Sequence, residues 1–109
     1  MLSKKKRLTK KIFQDIIKQG RSHTSPFFVF KHMPDTNPRF AIVVPKSVTK
    51  KAVERNRLRR KGYNQLRSFS LPNKAGIFFY KKEGTQATTQ DIKNDLQNIL
   101  TKVNNEKKT

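Results

Sequence analysis

The 109-residue sequence has no cysteine, no tryptophan and only seven acidic residues. Without cysteine, the chain can form neither a disulfide framework nor a metal site built from thiolates. Its four glycines stand alone, so it lacks a glycine-rich loop that could cradle a phosphate. No apolar run is long enough to span a membrane, and the first residues lead into charge, not into a signal-peptide core. We therefore expect one compact domain that acts in the cytoplasm.

The acidic residues and the two histidines are too scattered to suggest an active site. His23 and His32 do not have the spacing of metal ligands. Asp91 and Asp95 lie one turn apart in a predicted helix, where interaction with the helix dipole explains them better than catalysis does. A nuclease that acts alone usually needs clustered carboxylates for its metal ions. We therefore predict no catalytic residue and no metal-binding residue in this chain.

Positive charge is what the sequence has in excess. Twenty-six lysines and arginines give a formal net charge of +19, and the isoelectric point is near 10.8. A surplus of this size in a small domain costs self-repulsion and indicates a polyanionic partner. Only 33% of the residues are hydrophobic and the mean hydropathy is -0.85, so the core is lean. Charge alone leaves nucleic acid, an anionic membrane and an acidic protein as candidate partners.

Hydrophobic periodicity and turn residues predict the first half of the fold. Thr9 is placed to cap a first helix, which Gly20 ends. A strand is predicted at 28–30 and another at 40–44, and the turn residues 35–38 favour their pairing as a hairpin. The sequence leaves open whether 21–25 adds an edge strand.

The second half is predicted to contain a long helix at about 50–69, a strand at 76–80 buried on both faces, and a last helix capped by Thr88 or Thr89. The core stripe of that last helix would be Ile92, Leu96, Ile99, Leu100 and Val103. The order helix, strands, helix, strand, helix indicates a single α+β domain over residues 1–109. We expect residues 1–7 and 104–109 to be flexible.

The segment from Lys46 to Arg67 concentrates the positive charge. Its cations, opposed only by Glu54, are Lys46, Lys50, Lys51, Arg55, Arg57, Arg59, Arg60, Lys61 and Arg67. On the predicted helix, the face towards the sheet would carry Leu58, Gly62, Leu66 and Phe69, and an outward face would carry Asn56, Arg60, Tyr63 and Arg67. Guanidinium groups bind phosphate oxygens bidentately, and the Asn56 amide can donate to and accept from a base or a 2′-hydroxyl. This pattern favours RNA as the partner.

The segment also resembles a known family. Phe40 to Lys46, followed by Lys50 to Arg60 with the run Ala52-Val53-Glu54-Arg55-Asn56-Arg57, is similar to the signature of the protein component of bacterial ribonuclease P. That signature is a strand, a short basic loop and an Ala-x-x-Arg-Asn-Arg helix. The resemblance extends over nearly the whole chain and is strongest at the Arg-Asn-Arg segment.

The resemblance implies a small α+β fold like that of domain 2 of ribosomal protein S5. It has about four strands in the order α-β-β-(β)-α-β-α and a left-handed strand–helix–strand crossover, although pattern alone would favour a right-handed one. The chain would be a subunit of an enzyme that removes the 5′ leader of precursor tRNA by endonucleolytic cleavage. Its partners would be ribonuclease P RNA and precursor tRNA, with no membrane and no obligate protein partner. The catalytic Mg²⁺ would be held mainly by the RNA subunit.

The resemblance and the patterns of the predicted helices and strands together assign site residues. Contacts with RNA would come from Lys46, Lys50, Lys51, Arg55, Asn56, Arg57, Arg59, Arg60, Tyr63 and Arg67. A cleft between the first helix and the sheet would hold the single-stranded leader and would be lined by Phe13, Ile17, Phe28 and Phe30. An aromatic side chain left on an exposed sheet face can stack on single-stranded bases.

Three alternatives remain open. A ribosomal or other structural RNA-binding protein could use the same basic helix, and it would have no effect on precursor tRNA cleavage. A stand-alone nuclease would cleave RNA with a metal ion but without an RNA subunit. A helix on a membrane surface is a third reading, which the narrow apolar face of Arg55 to Lys61 disfavours.

Overall fold

The computed structural model describes residues 8–106, with side chains to residue 103. Its elements are α1 (Lys10–Gln19), β1 (Arg21–Thr24), β2 (Phe28–Pro34), β3 (Arg39–Val43), α2 (Ala52–Leu66), β4 (Lys74–Tyr80), a 3-10 helix (Lys82–Gln86) and α3 (Thr89–Glu106). This order confirms the predicted α+β class, and β1 is the edge strand that the sequence left open. Of the ends predicted to be flexible, residues 1–7 and 107–109 lie outside the described residues, and α3 continues to Glu106.

The first helix begins and ends where its sequence signals predict. The Thr9 hydroxyl accepts a hydrogen bond from the Ile12 amide at 3.2 Å, which satisfies one donor of the first turn. At the other end, the Gly20 amide donates to the Ile16 carbonyl at 2.8 Å. Ile16 is fully buried against Ala75 and Ile77 of β4, so α1 lies on one face of the sheet.

The sheet has the order β1-β2-β4-β3, in which only β3 and β4 run parallel. The predicted hairpin between β2 and β3 is therefore wrong. The turn residues do reverse the chain, and the Asp35 carboxylate accepts from the Asn37 amide at 3.2 Å. However, β4 lies between the two strands and pairs with both of them. Because parallel neighbours need a crossover, α2 connects β3 to β4 across one face of the sheet.

Strand alternation divides the interior into two layers. On the α2 and α3 side, the main core contains Phe28, Phe30, Phe40, Ile42, Phe78 and Tyr80. On the α1 side, a smaller cluster is built on Ile16, Ala75 and Ile77. The hydroxyl of Tyr80 donates to the Leu58 carbonyl of α2 at 2.8 Å, and burial raises the pKa of this phenol. Since α2 and α3 cover one face and α1 the other, β4 is buried on both faces, as predicted.

The last helix confirms one prediction and corrects another. Its apolar stripe is buried as expected, and Thr88 and Asp91 cap each other reciprocally, with both amide-to-side-chain distances at 3.1 Å. Asp95, however, does not serve the helix dipole. It is 5% exposed and accepts hydrogen bonds from the Ser25 hydroxyl at 2.6 Å and from the Phe27 amide at 3.1 Å. Asp95 therefore ties α3 to the connection between β1 and β2.

Candidate nucleic-acid interface

The position of α2 on the sheet decides which of its residues face outward. Leu58, Gly62 and Leu66 are buried, as predicted, and the helix approaches closely at the glycine. A Cβ atom at Gly62 would lie 3.2 Å from Cγ2 of Ile42 and 3.3 Å from the Tyr80 hydroxyl. This close contact turns the remaining faces of α2, with their arginines, away from the core.

One outward face of α2 forms an open groove of about 480 Å³, which we call the tyrosine groove. It is lined by Val53, Asn56, Arg59, Arg60, Tyr63 and Arg67. The side-chain oxygen Oδ1 of Asn56 accepts from Nη1 of Arg59 at 2.8 Å, so this amide orients the guanidinium. The Tyr63 hydroxyl accepts from the Ile42 amide of the edge strand β3 at 3.1 Å. Tyr63 therefore has a structural role besides any contact with a ligand.

A neighbouring face of α2 forms a second open groove, of about 340 Å³, against the start of α3. This lysine groove is lined by Arg57, Arg60, Lys61, Asn64, Gln65 and Thr89. Nζ of Lys61 donates to the Ala87 carbonyl at 3.1 Å, and Nη2 of Arg57 lies 2.6 Å from the Glu54 carboxylate. Both cations are therefore held in place on the helix surface.

The loop before α2 carries the other predicted cations. Lys46, Lys50 and Lys51 are exposed, and the two later lysines border a groove of about 450 Å³ between this loop and the 3-10 helix. Arg55 differs from its neighbours because its Nη1 donates to the Thr49 carbonyl at 3.0 Å. It lies on the buried side of α2, on the stripe of Leu58, and holds the loop in position. The structure thus brings all the predicted RNA contacts together on α2 and its loop, and their binding to RNA stays a prediction.

The predicted leader cleft is only partly in place. Phe13 of α1 is half-buried against Phe79, with ring centroids 6.5 Å apart, and Ile17 is 44% exposed. Placing Phe28 and Phe30 in the cleft was wrong, because both rings are fully buried in the main core. Their β4 partners in the sheet are Tyr80 and Phe78, which also face α2 and α3.

Two residues of β2 that were not among the predicted site residues face α1. Val29 and Lys31 alternate with the buried phenylalanines and are half-exposed on the α1 side of the sheet. Strand alternation could have indicated these residues, because phenylalanines at positions 28 and 30 must share one face of the sheet and the residues at 29 and 31 must lie on the opposite face. What the sequence did not indicate was which face is the main core.

The two histidines, separate in the sequence, meet on neighbouring strands. The rings of His23 and His32 stack with centroids 5.1 Å apart, and the buried His32 also stacks on Phe30. Within residues 8–106, no group of three or more histidines and carboxylates could hold a metal ion. No helix in that part of the chain is long and apolar enough to cross a membrane.

Comparison with known proteins decides the family. The sequence model of the family Ribonuclease P matches residues 2–104. The chain belongs to the ribonuclease P protein family. Membership implies involvement in tRNA 5′ processing and a partnership with ribonuclease P RNA.

Individual members of the family are similar to this chain in sequence. The ribonuclease P protein component of Vibrio parahaemolyticus is 30% identical over 89 residues, which cover 78% of this chain and 75% of that protein. The component from Thermus scotoductus is 35% identical over 86 residues, covering 79% of this chain and 52% of the longer relative.

Solved structures of the family share the fold. A mutant ribonuclease P protein of Staphylococcus aureus, described as defective in mRNA degradation, superposes with a TM-score of 0.80 at 26% identity, over 91% of this chain and 88% of that one. The ribonuclease P protein of Thermotoga maritima gives a TM-score of 0.77 at 22% identity, over 88% and 96% of the two chains, and at this identity it speaks for the fold alone. These likenesses confirm the fold class that the resemblance implied.

Proposed function

We propose that this chain binds ribonuclease P RNA through α2 and the preceding loop, and that it helps the ribonucleoprotein remove the 5′ leader of precursor tRNA in the cytoplasm. The observation that carries the proposal is the gathering of cations on the outward faces of α2, where Glu54 is the only acid between Lys46 and Arg67. Guanidinium groups held on a rigid helix lose little conformational freedom when they bind phosphates.

The physical role follows from electrostatics. Two RNA molecules that must approach each other repel through their phosphates, and a protein of net charge +19 offsets that repulsion. Mg²⁺ held mainly by the RNA subunit supplies the hydrolytic chemistry. The residues of this chain bind and orient the RNAs, and no side chain of the protein needs to act as an acid or base.

The α1 side of the sheet is the proposed site for the leader. Phe13, Ile17 and Phe79 offer apolar surface on which unstacked bases can lie, and Lys31 adds a cation for a phosphate. This site replaces the one predicted with Phe28 and Phe30. Contact with the leader would distinguish the substrate from the mature product, which no longer carries it.

The test is cleavage of a 5′-extended precursor tRNA by a bacterial ribonuclease P RNA at low Mg²⁺, with and without this protein. We expect strong activation by the protein, and we expect the variant with both Arg57→Ala and Arg59→Ala to lose most of it. A matched control removes two exposed lysines of α3, Lys93→Ala and Lys102→Ala, and should activate like the unmodified chain. Tight RNA binding without activation would favour a structural RNA-binding protein instead.

A further inference from the structure

The two grooves of α2 are separate surfaces on one helix. Asn56 and Tyr63 face the tyrosine groove, and Lys61 faces the lysine groove, at positions that differ by about two fifths of a helical turn. Arg60 borders both grooves and stands on the ridge between them. Nη2 of Arg67 donates to the side-chain amide oxygen Oδ1 of Asn64 at 2.9 Å and continues this ridge towards the end of α2.

The tyrosine groove has the chemistry of a site for unpaired nucleotides. Val53 is 80% exposed on its wall, and the fold does not require an apolar side chain there. The half-buried ring of Tyr63 is fixed by the hydrogen bond from the Ile42 amide, so its orientation is set before a ligand arrives. A base can stack on a fixed ring or a guanidinium plane, and the Asn56 side chain offers a polar group beside it.

The lysine groove has a different lining. The residues around it are cations, amides and a threonine, without an aromatic or aliphatic side chain. One of the three Nζ hydrogens of Lys61 binds the Ala87 carbonyl, which leaves two for a ligand. Cations with amides suit the phosphates and sugars of a backbone but provide no surface for stacking.

We infer that α2 lies between two separate segments of RNA. An unpaired segment occupies the tyrosine groove, and the sugar-phosphate backbone of a second segment occupies the lysine groove. A single strand that filled both grooves would have to cross the ridge of Arg60 and Arg67. The helix thus divides and spaces two RNA segments in addition to neutralising their charge. This inference rests on the proposed function, because it assumes that α2 binds RNA.

The absence of natural cysteine makes a direct test available. Val53→Cys places a thiol in the tyrosine groove and Thr89→Cys places one in the lysine groove, and both side chains are exposed and close to cysteine in size. Each thiol would carry an iron chelate that cleaves nearby RNA in the assembled complex with ribonuclease P RNA. Thr101→Cys, exposed on α3 far along from Thr89, is the matched control.

We expect the two chelates to cut the RNA at two places that are distant in its sequence or lie on different strands, and the control to cut at neither place. Overlapping cuts within one continuous segment would overturn the inference, as would cutting from Val53→Cys alone. In both of these cases the RNA still binds α2, so the proposed function would stand. If neither chelate cuts and the unmodified protein does not bind the RNA, the proposed function itself fails.

The salt dependence of RNA affinity provides a second test of whether both grooves bind RNA. Arg59→Ala changes only the tyrosine groove and Lys61→Ala only the lysine groove. Each should reduce the slope of log affinity against log salt by roughly 0.7–0.9, the effect of one phosphate contact. In the double variant, the reduction of the slope should equal the sum of the two single reductions if both grooves are occupied. A Lys61→Ala slope equal to that of the unmodified protein would mean that the lysine groove holds no phosphate, and the inference would fail.

Discussion

Removal of the Asp95 carboxylate is expected to destabilise the fold at the connection between β1 and β2. In the structure, Asp95 accepts from the Ser25 hydroxyl at 2.6 Å and from the Phe27 amide at 3.1 Å. The Ser25 oxygen in turn accepts from the Phe28 amide at 3.0 Å. This small network fixes the connection between β1 and β2 and attaches it to α3. Asp95→Ala would remove the acceptor for two donors at once.

The size of the loss follows from what each donor can do afterwards. The Ser25 hydroxyl can turn its hydrogen to the Phe28 carbonyl, 3.0 Å away, and so recover part of its bond. The Phe27 amide loses the acceptor that Asp95 provides, and a donor that is buried without an acceptor costs about 1–3 kcal/mol. Adding the lost charge-assisted bond gives about 2–4 kcal/mol. That is a large share of the roughly 5–15 kcal/mol that stabilises a domain of this kind.

The assay is urea unfolding at a fixed sulfate concentration, followed by circular dichroism. Glu83→Ala, an exposed change of the same charge, is the control and should alter the free energy of unfolding by less than about 0.5 kcal/mol. Ser25→Ala and the double variant complete a cycle, and their effects should not add, because both residues belong to one network. A loss below about 0.5 kcal/mol for Asp95→Ala, or strict additivity, would refute the reasoning.

Three further changes test other contacts. Tyr63→Phe keeps the ring but removes the acceptor of the Ile42 amide, so urea unfolding should show a loss of about 1–3 kcal/mol while saturating protein still activates cleavage; a variant of unchanged stability would contradict the hydrogen bond. Gly62→Ala should lower the melting temperature slightly, because the methyl group meets the Tyr80 hydroxyl and Ile42 at an overpacking cost of about 1–3 kcal/mol, partly offset by the roughly 0.5–1 kcal/mol that alanine gains over glycine in a helix; a raised melting temperature would contradict the tight contact. Phe13→Ala should weaken binding of precursor tRNA by about 1–3 kcal/mol in a filter-binding assay and leave mature tRNA unaffected; equal losses for both RNAs would argue against a leader site.

How far the fold could be predicted from the sequence depended on whether a signal was local. Thr9 and Thr88 mark helix starts through contacts made within a few residues, and both predictions are confirmed. The pairing of β2 was predicted wrongly because the turn at 35–38 is also local. The turn indicates that the chain reverses direction. It does not indicate that a strand from residues 74–80 lies between the two strands that the turn connects.

In the candidate site, too, local features could be predicted from the sequence and long-range contacts could not. Periodicity along α2 was enough to separate the buried stripe of Leu58 from the outward arginines, since a helix presents its faces at fixed spacing. It did not separate Arg55, whose partner is the Thr49 carbonyl of the preceding loop. The burial of Phe28 and Phe30 depends on the register with β4, which is a long-range property. Asp95 is another case, because its donors lie about 70 positions earlier in the chain.

The central place of β4 has a consequence for how the protein is made. β4 is the last strand in the chain, yet it holds β2 and β3 together, so no more than the β1–β2 pair can form before it is synthesised. At the roughly 5–20 residues per second of translation, the nascent chain carries the whole of α2 for about 0.7–3 s before β4, which completes the surface beneath it, has been synthesised. Closing the long loop between β2 and β4 costs entropy that is recovered only when both neighbours pair, which makes sheet assembly a late, cooperative step. Helix α2 therefore acquires its final orientation only when the domain as a whole folds. Fragments that end before residue 74 should bind RNA by electrostatic attraction but without a defined binding surface.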